Sequence, residues 1–151
     1  MSVCVQTQPI DVARETEALR AAASGAGALV SFLGLVRDLP GESLTELFLE
    51  HYPGMTEKAL ELLEQEACQR WSLEGVRLVH RYGALQPSEA IVWVAVASLH
   101  RQEAFSACEF LMDALKSRVP FWKKEITRRS SAWVEHRASD QRALKRWTQK
   151  S

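Results

Sequence analysis

The chain has 151 residues, 46% of them apolar and 25% charged, which suits one soluble globular domain with a sizeable core. Lys plus Arg and Asp plus Glu each number 19, so no overall field favours nucleic acid or an anionic membrane. The basic residues gather in the C-terminal third, a distribution that points to a local anion site rather than a polyanion groove.

The elements read in chain order as follows. Val3 to Gln6 alternates as a short strand. Pro9 and Asp11 introduce a helix with Val12, Thr16, Leu19 and Ala22 on its inner face, ended by Gly25 and Gly27. Gly27 to Arg37 is apolar and β-rich and predicts a buried strand. The turn signal Pro40-Gly41 joins it to an alternating strand over Leu44 to Tyr52, with Leu47 and Leu49 on one face, so these two strands are expected to pair antiparallel. Pro53 to Trp71 predicts a helix with Thr56 as a cap and Ala59, Leu60, Leu63, Ala67 and Trp71 as its apolar stripe. Val76 to His80 predicts a strand, and Arg81-Tyr82-Gly83 leads to a turn at Pro87. Ala90 to Ser98 is apolar on both faces and predicts a central strand. A helix follows from His100 to about Lys116, with Ala104, Cys108, Leu111, Met112 and Leu115 buried. Val119 precedes Pro120 and must be extended, which ends that helix. Strands over Phe121 to Thr127 and Ala132 to Glu135, then a helix over Ala138 to Thr148, complete the chain. Hairpin-connected strands mixed with helices predict an α+β or two-layer α/β domain.

Cys4, Cys68 and Cys108 are scattered and odd in number, with no CxxC pair, which fits a reducing cytosol; Cys68 and Cys108 are expected in the core. The N-terminus carries no secretory pattern, and no apolar run is long enough for a bilayer. His51, His80, His100 and His136 match none of the usual zinc spacings, and glycine-rich phosphate loops and a GxSxG elbow are lacking.

The candidate chemistry centres on the stretch from His100 to Glu125. His100-Arg101 stands at the positive end of a helix, suited to a phosphate; the plainer reading pairs Arg101 with Glu103. Lys116 and Lys123 flank the helix-to-strand corner, with Phe121 and Trp122 between them to exclude water. A lysine beside apolar surface and other cations becomes a usable general acid or base; the plainer reading is a solvated complement to the helix dipole. Arg37 closes a strand at a glycine-containing turn, and Arg137 lies in the segment WVEHR. Fifteen residues of continuous helix put Arg101 and Lys116 about 22 Å apart, too far for one small ligand. Either one end alone is a site, or two copies pair so that the start of one helix meets the end of the other.

Several motifs in fixed order now carry a resemblance: Phe32-Leu33-Gly34-Leu35-Val36-Arg37, Leu49-Glu50-His51-Tyr52 with Met55, His80-Arg81-Tyr82-Gly83, Leu99-His100-Arg101 with Glu103-Ala104-Phe105, Asp113-Ala114-Leu115-Lys116, Val119 to Glu125, and Trp133-Val134-Glu135. The chain resembles the catalytic (large) subunit family of molybdopterin synthase. The resemblance implies an α+β, hammerhead-type fold with an additional antiparallel β subdomain, a single domain over 1–151 whose 38–52 hairpin region belongs to that subdomain. It implies a homodimer flanked by two small ubiquitin-like sulfur-carrier subunits, in the cytoplasm. It also implies sulfur transfer from the small subunit's C-terminal glycine thiocarboxylate to cyclic pyranopterin monophosphate, with no metal and no cofactor in this step. By resemblance Lys116 and Lys123 are the catalytic lysines. Arg37, His100, Arg101 and Arg137 contact substrate and phosphate, Phe32 and Met112 wall the pocket, and the His-Arg pair comes from the neighbouring chain. Ser130-Ser131 stands where relatives often carry glycine, which affects the placement of Arg137. Two other functions fit the lysine-phosphate pattern less fully: a Schiff-base enzyme acting on a carbonyl phosphate, and a non-catalytic scaffold for a ubiquitin-like protein.

Overall fold

A computed structural model of the chain describes residues 2–38, 44–127, 131–134, 143–145 and 147–148. The elements run β1 (Val3–Gln6), α1 (Val12–Ala22), β2 (Ala28–Leu35), β3 (Leu44–His51), α2 (Met55–Arg70), β4 (Gly75–Arg81), β5 (Gly83–Leu85), β6 (Ala90–Ser98), α3 (Arg101–Arg118), β7 (Phe121–Thr127) and β8 (Ser131–Val134). The strands form two four-stranded sheets, ordered β1-β4-β6-β2 and β5-β3-β7-β8. The α+β expectation holds.

β6 is central in the first sheet, as its unbroken apolar run requires. Alternate residues serve opposite faces. Val92, Val94 and Val96 join α2 and α3 in the main core, around Leu60, Leu63, Phe110 and Leu111. Trp93, Ala95 and Ala97 face α1 and pack on Leu19 and Ala23. A helical layer thus covers each face, and both sides of β6 must be apolar. The inner residue at the end of α1 is Ala23 rather than Ala22, which is exposed. Asp11 caps α1 by accepting the Arg14 N–H at 3.1 Å.

β2 and β3 do not pair with each other. β2 pairs antiparallel with β6 in the first sheet, whereas β3 pairs with β5 and β7 in the second. Nor is β2 a buried strand: it lies at the sheet edge, and Phe32, Leu33 and Leu35 are exposed. Gly34 keeps its place in β2 for a steric reason, since a Cβ there would meet the Val92 side chain at 2.7 Å and the Phe32 ring at 3.1 Å.

Thr56 does not cap α2; Gly54 does, at φ 83°, with the Glu57 carboxylate accepting its N–H at 3.1 Å. Cys108 is buried as expected, and its thiol pKa is pushed up to about 11 by that burial and by Glu109. Cys68 is exposed rather than core. The predicted C-terminal helix falls mostly outside the described residues. Within it, Trp147 packs edge-on against Trp71 and Phe110, and its Nε1 donates to Asp113 at 2.6 Å. No helix among the described residues is long and apolar enough to cross a membrane.

Candidate active site

The corner between α3 and β7 is built as the pre-proline restriction demands. Val119 is extended, at φ −103° and ψ 129°, so the helix stops at Arg118 and β7 starts three residues later, at Phe121. The buried hydroxyl of Thr56 pins this corner. It donates to the Pro120 carbonyl at 3.0 Å and accepts the Tyr52 N–H at 3.0 Å. One side chain therefore ties the end of β3, the first turn of α2 and the lysine-bearing corner together.

Lys116 lies on the outer surface of α3, exposed, one residue beyond the buried Leu115. Lys123 lies on β7 opposite Leu49 of β3 and Val134 of β8. It shares a strand face with Phe121, two residues earlier. Trp122 is on the other face, half exposed, edge-on to Trp133 with ring centroids 6.3 Å apart. The Lys124 ammonium sits 5.9 Å from the Trp133 centroid. Phe121 is thus the aromatic neighbour of Lys123, and the expectation that Trp122 helps to dry the lysine site fails because the strand period turns it away.

Phe121 stacks on His80, with centroids 3.9 Å apart and planes 19° apart. His80 is only 6% exposed. Its Nδ1 lies 2.7 Å from the Arg81 carbonyl. A carbonyl only accepts, so Nδ1 carries the proton of the neutral ring. Burial chiefly, with the charges of Lys123 and His51 adding to it against the hydrogen bond to Arg81, lowers the His80 pKa to about 4. His51, opposite Phe121 in register, packs on Tyr82 with ring centroids 3.9 Å apart and planes tilted by 38°. Arg81 is itself buried and donates from Nε and Nη2 to the Thr7 carbonyl at 3.2 and 2.8 Å. The His-Arg-Tyr segment thus forms a rigid wall beside β7. Sequence reasoning used these residues only as a family motif. The signal available was a histidine at the end of an apolar strand, followed at once by a second polar residue that the strand also had to bury.

His100 and Arg101 are both exposed at the start of α3, with His100 in the N-cap position. The Ser98 hydroxyl donates to the His100 carbonyl and sets the entry to the helix. Arg101 forms no ion pair with any described carboxylate, Glu103 included. α3 is one continuous helix from Arg101 to Arg118, so Arg101 and Lys116 do stand about 22 Å apart. Lys116 on the last turn of α3 and Lys123 on β7 therefore stand either side of the Val119–Pro120 corner, and the length of α3 separates Lys116 from the His-Arg pair. Arg37 is exposed just past the end of β2, and Phe32 is 41% exposed on that strand. Met112 is buried against the first sheet and joins the main core. Arg137 lies outside the described residues. Among those described, no group of His, Cys, Asp or Glu is arranged to hold a metal ion.

Comparison with known proteins gives a consistent result. The family model described as MoaE protein matches residues 5–118. A relative in Cereibacter sphaeroides, curated as molybdopterin synthase catalytic subunit, is 52% identical over 147 residues, covering 97% of this chain and 100% of its own. Among solved structures, the molybdopterin biosynthesis MoaE protein from Burkholderia ambifaria superposes with a TM-score of 0.84 at 48% identity, covering 99% of each chain. Molybdopterin synthase from Staphylococcus aureus gives a TM-score of 0.81 at 36% identity, covering 87% of this chain and 96% of that one. Motif order, two-sheet fold and near-full-length identity agree, and the chain belongs to the MoaE protein family.

Proposed function

We propose that this chain is the catalytic subunit of a molybdopterin synthase, a sulfurtransferase of molybdenum cofactor biosynthesis. It takes sulfur from the C-terminal glycine thiocarboxylate of a small ubiquitin-like partner and places it on cyclic pyranopterin monophosphate, forming the dithiolene of molybdopterin. The observation that carries this reading is about 50% identity, along nearly the whole chain, to relatives curated under that name.

The chemistry fits the cations at hand. In each transfer, sulfur bonds to a substrate carbon as a carbon–oxygen bond at that carbon breaks, its oxygen leaving on phosphate or as water, and a water molecule then cleaves the acyl carbon–sulfur bond and returns the tail as a carboxylate. Reactants and released tail are anionic, so fixed cations and proton donors are what the site must supply. Lys123 and Lys116 are assigned the proton transfers and the stabilisation of negative charge. Arg37, His100, Arg101 and Arg137 are assigned the substrate and its phosphate, and Phe32 and Met112 the pocket wall. The 22 Å helix argues that each site is composite: a homodimer supplies Lys116 and Lys123 from one protomer and the His-Arg pair from its partner. The exposed apolar edge at Phe32, Leu33 and Leu35 supports such pairing. The reading treats residues 1–151 as one domain working in the cytoplasm, with the 38–52 region belonging to the smaller β subdomain.

The test is reconstitution with purified thiocarboxylated small subunit and cyclic pyranopterin monophosphate, reading molybdopterin as its fluorescent oxidised derivative. Wild type is expected to make product, and Lys123→Ala to lose at least about a hundredfold in rate with the complex still assembled. A folded wild type that binds its partner yet makes no product would overturn the reading.

A further inference from the structure

We propose that His80 is a positioning residue for Lys123: its buried ring stacks on Phe121 and fixes the start of β7, from which Lys123 projects on the same face. This rests on the role given to Lys123 above.

The two rings belong to different sheets. His80 is on β4, held in the first sheet between Val5 of β1 and Val92 of β6. Phe121 is on β7 in the second sheet. Their face-to-face contact at 3.9 Å is therefore a bridge between the sheets. His80 is the fixed side of that bridge: its backbone is in a central strand, and its Nδ1–H is held by the Arg81 carbonyl. Phe121 is the side that must be placed. It opens its strand directly after the proline corner, and Lys123 follows it two residues later on the same face. Shifting Phe121 shifts Lys123.

The ring must also be neutral to serve here. An imidazolium would stand beside the Lys123 ammonium and would repel it. The groups facing His80 are Lys123 from β7, His51 from β3 and Arg81 from its own strand, and none of them is an acid that would draw a proton onto the ring. A histidine that merely fills space would lose stability when replaced. A histidine that places a reacting lysine would lose turnover, because misplacement of about 1 Å can cost as much as a hundredfold in rate.

The experiment compares His80→Asn, His80→Phe and Phe121→Leu in the assembled complex, using the reconstitution described above with kcat and KM for the pterin separated. Asparagine keeps a donor near the Nδ1 position and loses the stack; phenylalanine keeps the stack and loses the donor. His80→Asn is expected to lower kcat about tenfold or more with KM changed less than about twofold, Phe121→Leu to give the same split, and His80→Phe to stay within about threefold of wild type. Should His80→Asn fail to fold, Phe121→Leu against His80→Phe decides. Wild-type kcat in the variants lacking the stack, a loss confined to KM or assembly, or His80→Phe falling as far as His80→Asn would overturn the inference. Lys123→Ala, run alongside, separates the two levels. If it retains turnover, the lysine assignment falls. If it is dead while the stack-lacking variants work, only the role of His80 falls.

Discussion

His80 titrates in a way that makes it visible at the level of a single residue. Its ordinary pKa of 6.5 falls to about 4 in the folded chain. Between those values the unfolded chain binds a proton at this imidazole that the folded chain refuses. Stability is therefore full above about pH 6.5, declines as the pH falls and levels off below about 4, a loss of at most about 3 kcal/mol. Denaturant titrations of wild type and His80→Phe at pH 7 and at pH 4.5 check this. The wild type is expected to lose more stability between the two than the variant; equal losses would mean that the ring is not held neutral. Little of this was legible in the sequence. HRYG marks a family position, but nothing in those four letters tells that the histidine ring crosses to a second sheet. Val119 is the opposite case. A residue before proline has few conformations open to it, so the end of the long helix could be read directly from the chain.

At the scale of elements, the Thr56 hydroxyl joins β3, α2 and the corner before β7. Thr56→Val keeps the shape and removes the partner of the part-buried Tyr52 N–H and Pro120 carbonyl. It is expected to cost about 1–3 kcal/mol in a denaturant titration. It is also expected to lower sulfur transfer, since the same hydroxyl holds the lysine corner; stability equal to wild type would contradict the bridge. Strand and helix positions were largely readable because hydrophobic period is a local property. Partner choice was not. β2 and β3 are consecutive strands with a turn signal between them, yet they enter different sheets, and β5 had too few residues to show a period. The apolar run of β2 suggested burial within the chain, while the strand lies at an edge. Apolar content reports that a surface is to be covered, not which molecule covers it.

For the whole molecule, the continuous α3 makes a composite site testable without a structure of the dimer. Arg101→Ala and Lys123→Ala, each nearly inactive alone, are expected to regain activity when unfolded together and refolded as mixed dimers, because one of the two sites then carries both native residues. No recovery in mixed dimers confirmed by mass would show that each chain builds its site alone. Leu35→Asp, which places a charge on the exposed edge, is expected to shift the protein toward monomer in analytical ultracentrifugation and to lower activity with it. The distant placement of His100-Arg101 and Lys116 was legible from helix rise alone. The placement of Arg137 was not, and that residue lies outside the described part of the chain.

The free edge of β2 has a further consequence for the life of a newly made protomer. Among the described residues no strand pairs with its outer edge, so until something covers it the strand offers backbone groups beside Phe32, Leu33 and Leu35 as a template onto which an extended chain can add. Folding and assembly are then linked by mass action, and the melting temperature should climb as the protein is concentrated. Dilution or overproduction without matched assembly is expected to leave that edge bare long enough to seed aggregates, so a surface suited to joining two copies would also make a solitary copy short-lived.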